Sequence, residues 1–426
     1  MVETGRQHSG STTMASVVGN ALEWYDFAVF GYLAPVIGQL FFPSDDPMGA
    51  LISAFGAFAA GYIVRPIGGV IFGQIGDRLG RKKALLLSVV MMGIPTALVG
   101  CLPTHAQVGI LAGILLVILR IIQGVSVGGE LIGSVAYLVE MAPPGRRGYY
   151  GSYSMVTAVG GVLLGSGAGS ILSGVLSPQQ VQAWGWRIPF LLGLVICAIG
   201  AWMRRDLQET PDFIEAARTG RTHRIPAAEA LRKHPWRILQ VTAMNAIMGS
   251  AFYVLFLWMP TYTSKILPHP LHHGLLLNTI SMAILVSCMP PAGWLSDRIG
   301  RKRVLLSGVV GIAFSVYPLF RLIEDGSVPG TLLAQCVFAV VVAALYGVMP
   351  VSVMELFPAA IRFSAVAVGY NVAFALFCGT APMVSTWLIH RTGILTAPAF
   401  YLMALAIVAL PAYLALREAG ADHSGE

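Results

Sequence analysis

The sequence predicts an all-α membrane protein of twelve transmembrane helices, arranged as two six-helix halves. Three observations lead to this prediction. The 426 residues are 56% hydrophobic and only 11% charged, whereas an average soluble domain is about 25% charged. A short basic loop occurs twice, and one long basic segment divides the apolar runs into two equal groups.

The apolar runs are long enough to cross a lipid bilayer as helices, which needs about 20 residues each. Their length, without strict alternation of apolar and polar residues, excludes the β-barrel as the alternative membrane fold. The first run is too long for the core of a cleaved signal peptide and is expected to remain as a span. The predicted spans are 17–40, 50–74, 84–102, 109–139, 149–175, 187–203, 237–263, 274–296, 304–322, 330–355, 363–390 and 397–416.

Two pairs of matching segments indicate that the chain is duplicated. Residues 73–83 read GQIGDRLGRKK, and residues 293–303 read GWLSDRIGRKR. A second pair, EMAPPGRR at 140–147 and ELFPAAIR at 355–362, follows the fourth and the tenth runs. Repeats at matching positions identify a repeated architecture, and parallel six-helix repeats are typical of transporters that rock around a central site.

The domain boundaries follow from the long polar connection after the sixth run. We predict a cytoplasmic tail at 1–16, a first six-helix bundle at 17–203, a cytoplasmic linker at 204–236, a second bundle at 237–416 and a cytoplasmic tail at 417–426. Most of the 27 Lys and Arg residues fall in the tails, the linker and the even-numbered loops. By the positive-inside rule, both termini are therefore expected in the cytoplasm.

Charge and cysteine usage argue against other classes of protein. The net charge of +7 lies in short loops, so it reports membrane topology and no nucleic-acid partner is expected. The five cysteines stand singly without a C-x-x-C pair, and neither a disulfide framework nor a metal site is predicted. The chain has no Walker loop and no Gly-x-Ser-x-Gly elbow, which argues against an enzyme. A membrane enzyme, or a receptor that binds its ligand without transporting it, stays open as a different class of protein. A flux assay would distinguish either of them from a transporter.

These motifs resemble the major facilitator superfamily over nearly the whole chain. Within it, several segments are similar to the metabolite:proton symporter family: GNALEWYDFAVFGYLA (19–34), RPIGGVIFGQIGDRLGRKK (65–83), GVSVGGE (124–130), WGWRIPF (184–190) and LQETPDF (207–213). The resemblance implies the major facilitator fold. It also implies proton-coupled uptake of organic acids such as citrate, α-ketoglutarate and shikimate, or of osmolytes such as proline and betaine.

We expect a symporter of the bacterial inner membrane that imports a small carboxylate with protons by alternating access. The stretch 354–393 is more similar to the organic-acid members, and the chain ends at Glu426 without the coiled-coil extension of the osmosensing betaine transporter. Two alternatives stay open: a proton-coupled transporter of proline or betaine, and a carboxylate exchanger that moves no proton. The expected partners are the substrate, the proton as coupling ion and the lipid bilayer. We expect a monomer without a cofactor.

Ionisable side chains inside the apolar runs are the candidates for transport chemistry, because each costs about 2.5–3.5 kcal/mol at a helix centre. The helical rise places Asp26 and Arg120 at the same depth, near the midplane. We predict that Arg120 binds the substrate carboxylate with its guanidinium fork and that Asp26 neutralises it in the empty site. Protonation of Asp26, Glu23 or Glu130 would release the Arg120 guanidinium to bind the substrate carboxylate. The fluxes of substrate and proton would then be coupled.

Arg65 lies in the second predicted span, closer to the level of Glu23. A static Arg65–Glu23 pair that holds helices together is the preferred interpretation. The second half has no ionisable residue at midplane depth, so its part of the site must be polar or aromatic. A betaine would place its quaternary nitrogen against Tyr25 or Tyr253. The remaining substrate candidates, which could equally be interhelical hydrogen-bond formers, are Asn245, Tyr346 and Asn371.

The resemblance further implies that the two repeated basic loops hold an inner gate through salt bridges with neighbouring helix ends. The candidate gating residues are Asp77, Arg81, Glu140 and Arg147 in the first half and Asp297, Arg301, Glu355 and Arg362 in the second half.

Overall fold

The structure is a computed structural model that describes residue 21 and residues 24–79, 81–126, 130–204 and 231–416. Every regular element within these ranges is a helix. The predicted tails at 1–16 and 417–426, and most of the predicted linker, lie outside the described residues.

The first half contributes six spanning helices. α1 comprises residues 24–32 and Ala34–Phe41, α2 comprises Pro47–Ile63 and Arg65–Leu79 on either side of Val64, and α3 is Arg81–Cys101. α4 comprises Leu111–Ser126 and Glu130–Glu140, α5 is Arg147–Val175 and α6 is Arg187–Arg204. Short helices at His105–Val108 and Pro178–Gln180 lie in the connections.

The second half repeats this order. α7 runs as Pro235–Phe252, Tyr253–Trp258, Met259–Thr261 and Tyr262–Ile266. α8 is Gly274–Ile299, α9 is Arg301–Glu324 and α10 comprises Val328–Tyr346 and Met349–Glu355. α11 comprises Ala359–Ala373, Phe374–Cys378 and Ala381–Thr392, and α12 is Ala397–Leu414.

The helices account for the twelve predicted spans. Nine of those described are each long and apolar enough to cross a membrane, and the bent pair Pro178–Gly185 with Arg187–Trp202 makes a tenth. α3 contains a shorter apolar helix, Leu86–Cys101, and α1 completes the set. Large apolar side chains such as Phe314 and Val408 point outward, 80% and 72% exposed, as expected where lipid is the solvent.

Local sequence explains where two of these helices begin and end. Asp46 caps α2, because its carboxylate accepts the N–H groups of Met48 and Gly49 at 3.0 and 3.1 Å, and Pro47 suits the first helical position. Gly300 has φ +100°, a conformation that glycine adopts without strain, and it makes the tight turn from α8 to α9. The second basic loop is therefore a break between two helices.

The two halves pack along two helix pairs, α5 with α8 and α2 with α11. α7 is the most enclosed spanning helix of the described part, with 94% of its apolar stretch buried, against 33% for α8 and for α9. We call the face that carries the 293–303 loop the loop face, and the opposite one the far face. Contacts between the halves occur at both faces, for example at Gly148–Gly293 and at Gly169–Leu275. Tyr62 and Tyr253, which meet between the two halves, are 0% and 1% exposed, so the centre of the described structure is closed to solvent.

Candidate functional site

Arg120 and Asp26 meet inside the first half, and this predicted contact is confirmed. Arg120 Nη1 lies 3.2 Å from Asp26 Oδ2, and both side chains are buried. Gln123, one helical turn further along α4, accepts a bond from Arg120 Nη1 at 2.9 Å and donates to Asp26 Oδ2 at 3.0 Å. Gln123 Nε2 also donates to Thr96 of α3 at 2.9 Å. These four side chains form a connected polar system, which we call the Arg120 network.

Aromatic rings enclose this network within the first half. The guanidinium carbon of Arg120 lies 4.8 Å from the ring centre of Phe27, 4.3 Å from that of Phe30 and 5.7 Å from that of Phe58. α2 and α4 touch beside it, since a Cβ on Gly124 would lie 1.9 Å from the carbonyl oxygen of Gly61. The described contacts of Arg120 thus come from α1, α2 and α4, and Gln123 connects the network to α3.

Arg65 lies instead where the two halves meet. Its side chain is 1% exposed. Its guanidinium carbon lies 4.1 Å from the ring centre of Tyr62, 4.6 Å from that of Phe27 and 5.9 Å from that of Phe374. Phe374 belongs to α11, so Arg65 is in contact with both halves.

A group of rings continues from Arg65 into the second half. We call these rings the junction cluster: Trp24, Tyr62, Tyr253, Tyr370 and Phe374. The hydroxyls of Tyr62 and Tyr253 are 2.6 Å apart and join α2 to α7. Phe374 stacks on Tyr370 at 4.1 Å between centroids and packs against Tyr253 and Trp24 at 6.1 and 6.2 Å. Aromatic rings therefore surround the boundary between the halves.

Two distortions of the helices place the second-half rings. The hydrogen bonding of α7 widens to a π-helix at Tyr253–Trp258, and that of α11 does so at Phe374–Cys378. Such segments are rare and are frequent at functional sites. Each begins at a ring of the junction cluster. Gly379 lets Tyr62 approach α11, because a Cβ there would lie 2.3 Å from the Tyr62 ring.

The other predicted substrate residues are buried at several places. The hydroxyl of Tyr25 donates to the Pro189 carbonyl at 3.2 Å, so it faces α6. The amide of Asn245 donates to the Val241 carbonyl of its own helix at 2.8 Å. Tyr346 packs on Phe252 with 5.1 Å between ring centroids, and Asn371 follows Tyr370 on α11. Of the predicted proton carriers, Glu23 and the side chain of Glu130 lie outside the described residues.

At the loop face, Asp297 joins the halves. Its Oδ1 accepts the N–H of Gly148 at 2.8 Å, and its Oδ2 accepts that of Tyr149 at 2.9 Å. A second-half carboxylate thus caps the first turn of α5, where it also meets the positive end of the helix dipole. Arg301 donates to Asp297 at 2.6 Å and lies 3.4 Å from Glu355.

Part of this arrangement was predicted and part was not. The Arg301–Glu355 contact joins the repeated loop to a neighbouring helix end, as the resemblance implies, whereas the binding of Asp297 to backbone N–H groups across the junction was not predicted. Glu355 pairs with Arg301, while Arg362 donates to the Phe357 carbonyl at 3.2 Å. Arg147 is exposed at the start of α5, and the side chains of Asp77, Arg81 and Glu140 lie outside the described set.

The far face holds polar contacts that the sequence analysis missed. Asn278 of α8 is fully buried and donates to Tyr32 at 3.2 Å. Thr279 hydrogen-bonds Ser166 of α5 at 2.7 Å. Asp46 pairs with His390 of α11 at 2.9 Å between Oδ2 and Nε2.

Some of the missed residues carried a signal in the sequence. Gln123 is three residues from Arg120, the spacing at which two side chains share a helix face, and Asn278 is a costly polar residue inside an apolar run. Tyr253 was a predicted candidate, but the other rings of the junction cluster carried no signal, because aromatic residues are ordinary in spans.

Comparison with known proteins decides the family. A family model described as "Sugar (and other) transporter" matches residues 11–248, and one described as "Major Facilitator Superfamily" matches residues 274–425. The chain belongs to the major facilitator superfamily. It is 35% identical to the glycine betaine/proline/ectoine/pipecolic acid transporter OusA of Dickeya dadantii (strain 3937) over 98% of this chain and 85% of the relative. It is 33% identical to the proline/betaine transporter of Escherichia coli (strain K12), with the same coverage.

Solved structures confirm the fold. The crystal structure of the D-xylose-proton symporter matches with a TM-score of 0.74 and 22% identity, over 96% of this chain and 97% of that chain. The partially occluded inward-open form of the xylose transporter XylE from E. coli matches with a TM-score of 0.76 and 20% identity, over 97% and 99%. The chain is thus a multi-pass membrane protein with the twelve-helix major facilitator fold.

Proposed function

We propose that the chain is a proton-coupled symporter that imports a zwitterionic osmolyte, such as glycine betaine or proline, by alternating access across the bacterial inner membrane. Relatives at 33–35% identity bear the names of proline and betaine transporters, which favours this alternative over the organic acid expected first. The observation that carries the proposal is the junction cluster beside a buried guanidinium.

A zwitterion needs two complementary groups within a few atoms of each other. Aromatic faces attract a quaternary ammonium, and a guanidinium binds a carboxylate through paired hydrogen bonds. The junction cluster supplies the rings, and Arg65 lies against one of them at 4.1 Å.

Proton coupling is assigned to the Arg120 network. Asp26 Oδ1 has no hydrogen-bond partner among the described residues, so this oxygen can take up a proton without breaking a bond seen there. A neutral Asp26 holds Arg120 and Gln123 less strongly, which loosens the ties between α1, α3 and α4. Glu23 and Glu130 remain alternative proton carriers.

The loop face is proposed as the cytoplasmic face, since the positive-inside rule places both tails and the 204–236 linker there. Asp297, Arg301 and Glu355 then form an inner gate. By the repeat, Asp77, Arg81 and Glu140 belong to its first-half counterpart, with Arg147 and Arg362 at the two facing helix ends. The halves 17–203 and 237–416 move as the rocking units of a monomer within lipid.

The test is uptake of radiolabelled glycine betaine and proline into proteoliposomes, with citrate and α-ketoglutarate beside them. We expect zwitterion uptake that an inward proton gradient drives and a protonophore abolishes. Asp26→Asn should lose gradient-driven uptake but keep exchange of internal for external betaine, while the exposed-site control Asp45→Asn keeps both. Uptake of the acids alone would contradict the substrate class, and uptake insensitive to the gradient would contradict the coupling.

A further inference from the structure

We infer that Arg65, rather than Arg120, binds the carboxylate of the transported zwitterion, with its cationic group received by the junction cluster. The inference rests on the proposed function and names the residues of its binding site.

The position of Arg120 argues against direct contact with a substrate. Its Nη1 is bonded to Asp26 and Gln123 at 3.2 and 2.9 Å. Phe27, Phe30 and Phe58 surround its guanidinium. The described contacts of Arg120 all come from the first half, whereas a rocking transporter binds its substrate between the halves.

Arg65 meets that requirement. Its guanidinium lies over Tyr62 of α2 and near Phe374 of α11, so a ligand bound to it contacts both halves. The Tyr62–Tyr253 hydroxyl contact of 2.6 Å crosses the boundary at the same place. When the halves separate, these hydroxyls become available to a carboxylate as donors. The two π-helical segments that begin at Tyr253 and Phe374 distort the helices at this level.

The chemistry of Arg65 also suits carboxylate binding. A guanidinium carries its N–H groups in one plane, in the geometry of a paired bond to a carboxylate. In glycine betaine one methylene separates the carboxylate from the ammonium. A carboxylate on Arg65 therefore brings the ammonium among Trp24, Tyr253 and Phe374, whose centroids are 6.1 to 6.5 Å apart.

The same placement gives substrate specificity. A zwitterion offers a carboxylate to Arg65 and an ammonium to the rings, whereas choline offers only the ammonium and gains nothing from Arg65. Binding at this site therefore favours zwitterions over simple quaternary cations.

The experiment measures binding to the purified full-length protein in nanodiscs by titration calorimetry. The probes are glycine betaine, choline and tert-butylacetate, in which carbon replaces the betaine nitrogen. Arg65→Gln and Arg120→Gln form a matched pair of buried substitutions. We expect Arg65→Gln to lower betaine affinity by about 100-fold, the upper range for a lost hydrogen-bonded charge pair, and to reduce the preference for betaine over choline. Arg120→Gln should keep betaine affinity within about threefold and lose gradient-driven uptake.

A second pair tests the rings. Phe374→Leu should lower betaine affinity by about tenfold, the contribution of a desolvated cation–π contact, and leave tert-butylacetate binding unchanged. Phe338→Leu, a buried control on α10, should change the affinity for neither betaine nor tert-butylacetate. Arg65→Lys keeps the charge and should bind betaine with an affinity between those of the wild type and Arg65→Gln. Such graded binding would show that Arg65→Gln loses carboxylate recognition and is not misfolded.

Loss of betaine binding in Arg120→Gln with retention in Arg65→Gln would overturn the inference. If the wild type binds an organic acid and no zwitterion, the proposed function fails by itself. The same arginine pair titrated with that acid then decides between Arg65 and Arg120 as the carboxylate residue.

Discussion

The two ends of the α5–α8 seam close the molecule by different chemistry. At the loop face, the Asp297 carboxylate holds two backbone N–H groups of α5, and Arg301 supports it. At the far face, the Thr279 hydroxyl meets Ser166 and Ser170 at 2.7 and 3.1 Å. One helix pair is thus fastened by charge at one end and by neutral hydroxyls at the other.

The difference implies unequal strengths. Hydrogen bonds to a charged group contribute about 1.5–3 kcal/mol, against about 0.5–1.5 kcal/mol for neutral ones, and the α5 dipole adds to the charged end. We therefore expect the loop face to be the more firmly closed end in the empty protein. Substitutions at the two ends should differ in their effect on uptake.

The largest effect is expected from Gly293→Leu. A Cβ at Gly293 would lie 2.5 Å from the Gly148 carbonyl oxygen, so the backbones of α5 and α8 must separate and the loop face cannot close. Betaine uptake should fall to background. Gly160→Leu is the matched control on α5, because nothing lies within 4 Å of its added Cβ. Equal loss in both variants would contradict the seam as the cause.

Asp297→Asn should have the next largest effect, about a tenfold loss of uptake from the missing charge. The amide oxygen can still accept one N–H, but the bond to Arg301 weakens. Hydrogen exchange measures the change directly, since the amides of Gly148 and Tyr149 should exchange faster. Asp325→Asn, on the loop after α9, should leave uptake and the exchange of these two amides unchanged. Unaltered exchange at the first turn of α5 would refute the cap.

Thr279→Val should reduce uptake only about two- to threefold, since it removes neutral hydrogen bonds at nearly constant volume. The control is Thr331→Val, a buried residue of α10 whose hydroxyl has no partner among the described residues. If Thr279→Val lowered uptake as much as Asp297→Asn, the two ends would not differ as stated.

The smallest effect is expected at the far-face pair of Asp46 and His390. Both side chains are 46% exposed, and exposed pairs contribute about 0–1 kcal/mol, so His390→Gln should leave uptake within about twofold. Asp46→Ala should lower the thermal midpoint more than His390→Gln does, because it also removes the α2 cap. Equal midpoints would contradict the capping role.

Fold and site differ in how much of each the sequence predicts. The apolar runs and the repeated loops predict the twelve helices, since span length and charge position are written in the residue order. The depth of each residue along its helix predicts that Asp26 lies next to Arg120. Sequence cannot show that Asp297 binds backbone N–H groups, because every residue but proline has one. Nor does it show the π-helical segments that place Tyr253 and Phe374, or that Arg65 lies between the halves.

The most direct measurement of the central claim is the transport current on a solid-supported membrane carrying reconstituted protein. A net-neutral zwitterion that enters with a proton moves one positive charge, so a betaine jump at symmetric pH should produce an inward positive current. Asp26→Asn and Arg65→Gln should abolish the current, the first with betaine binding retained and the second with it lost. Betaine uptake without current, or a full current in Arg65→Gln, would contradict the account.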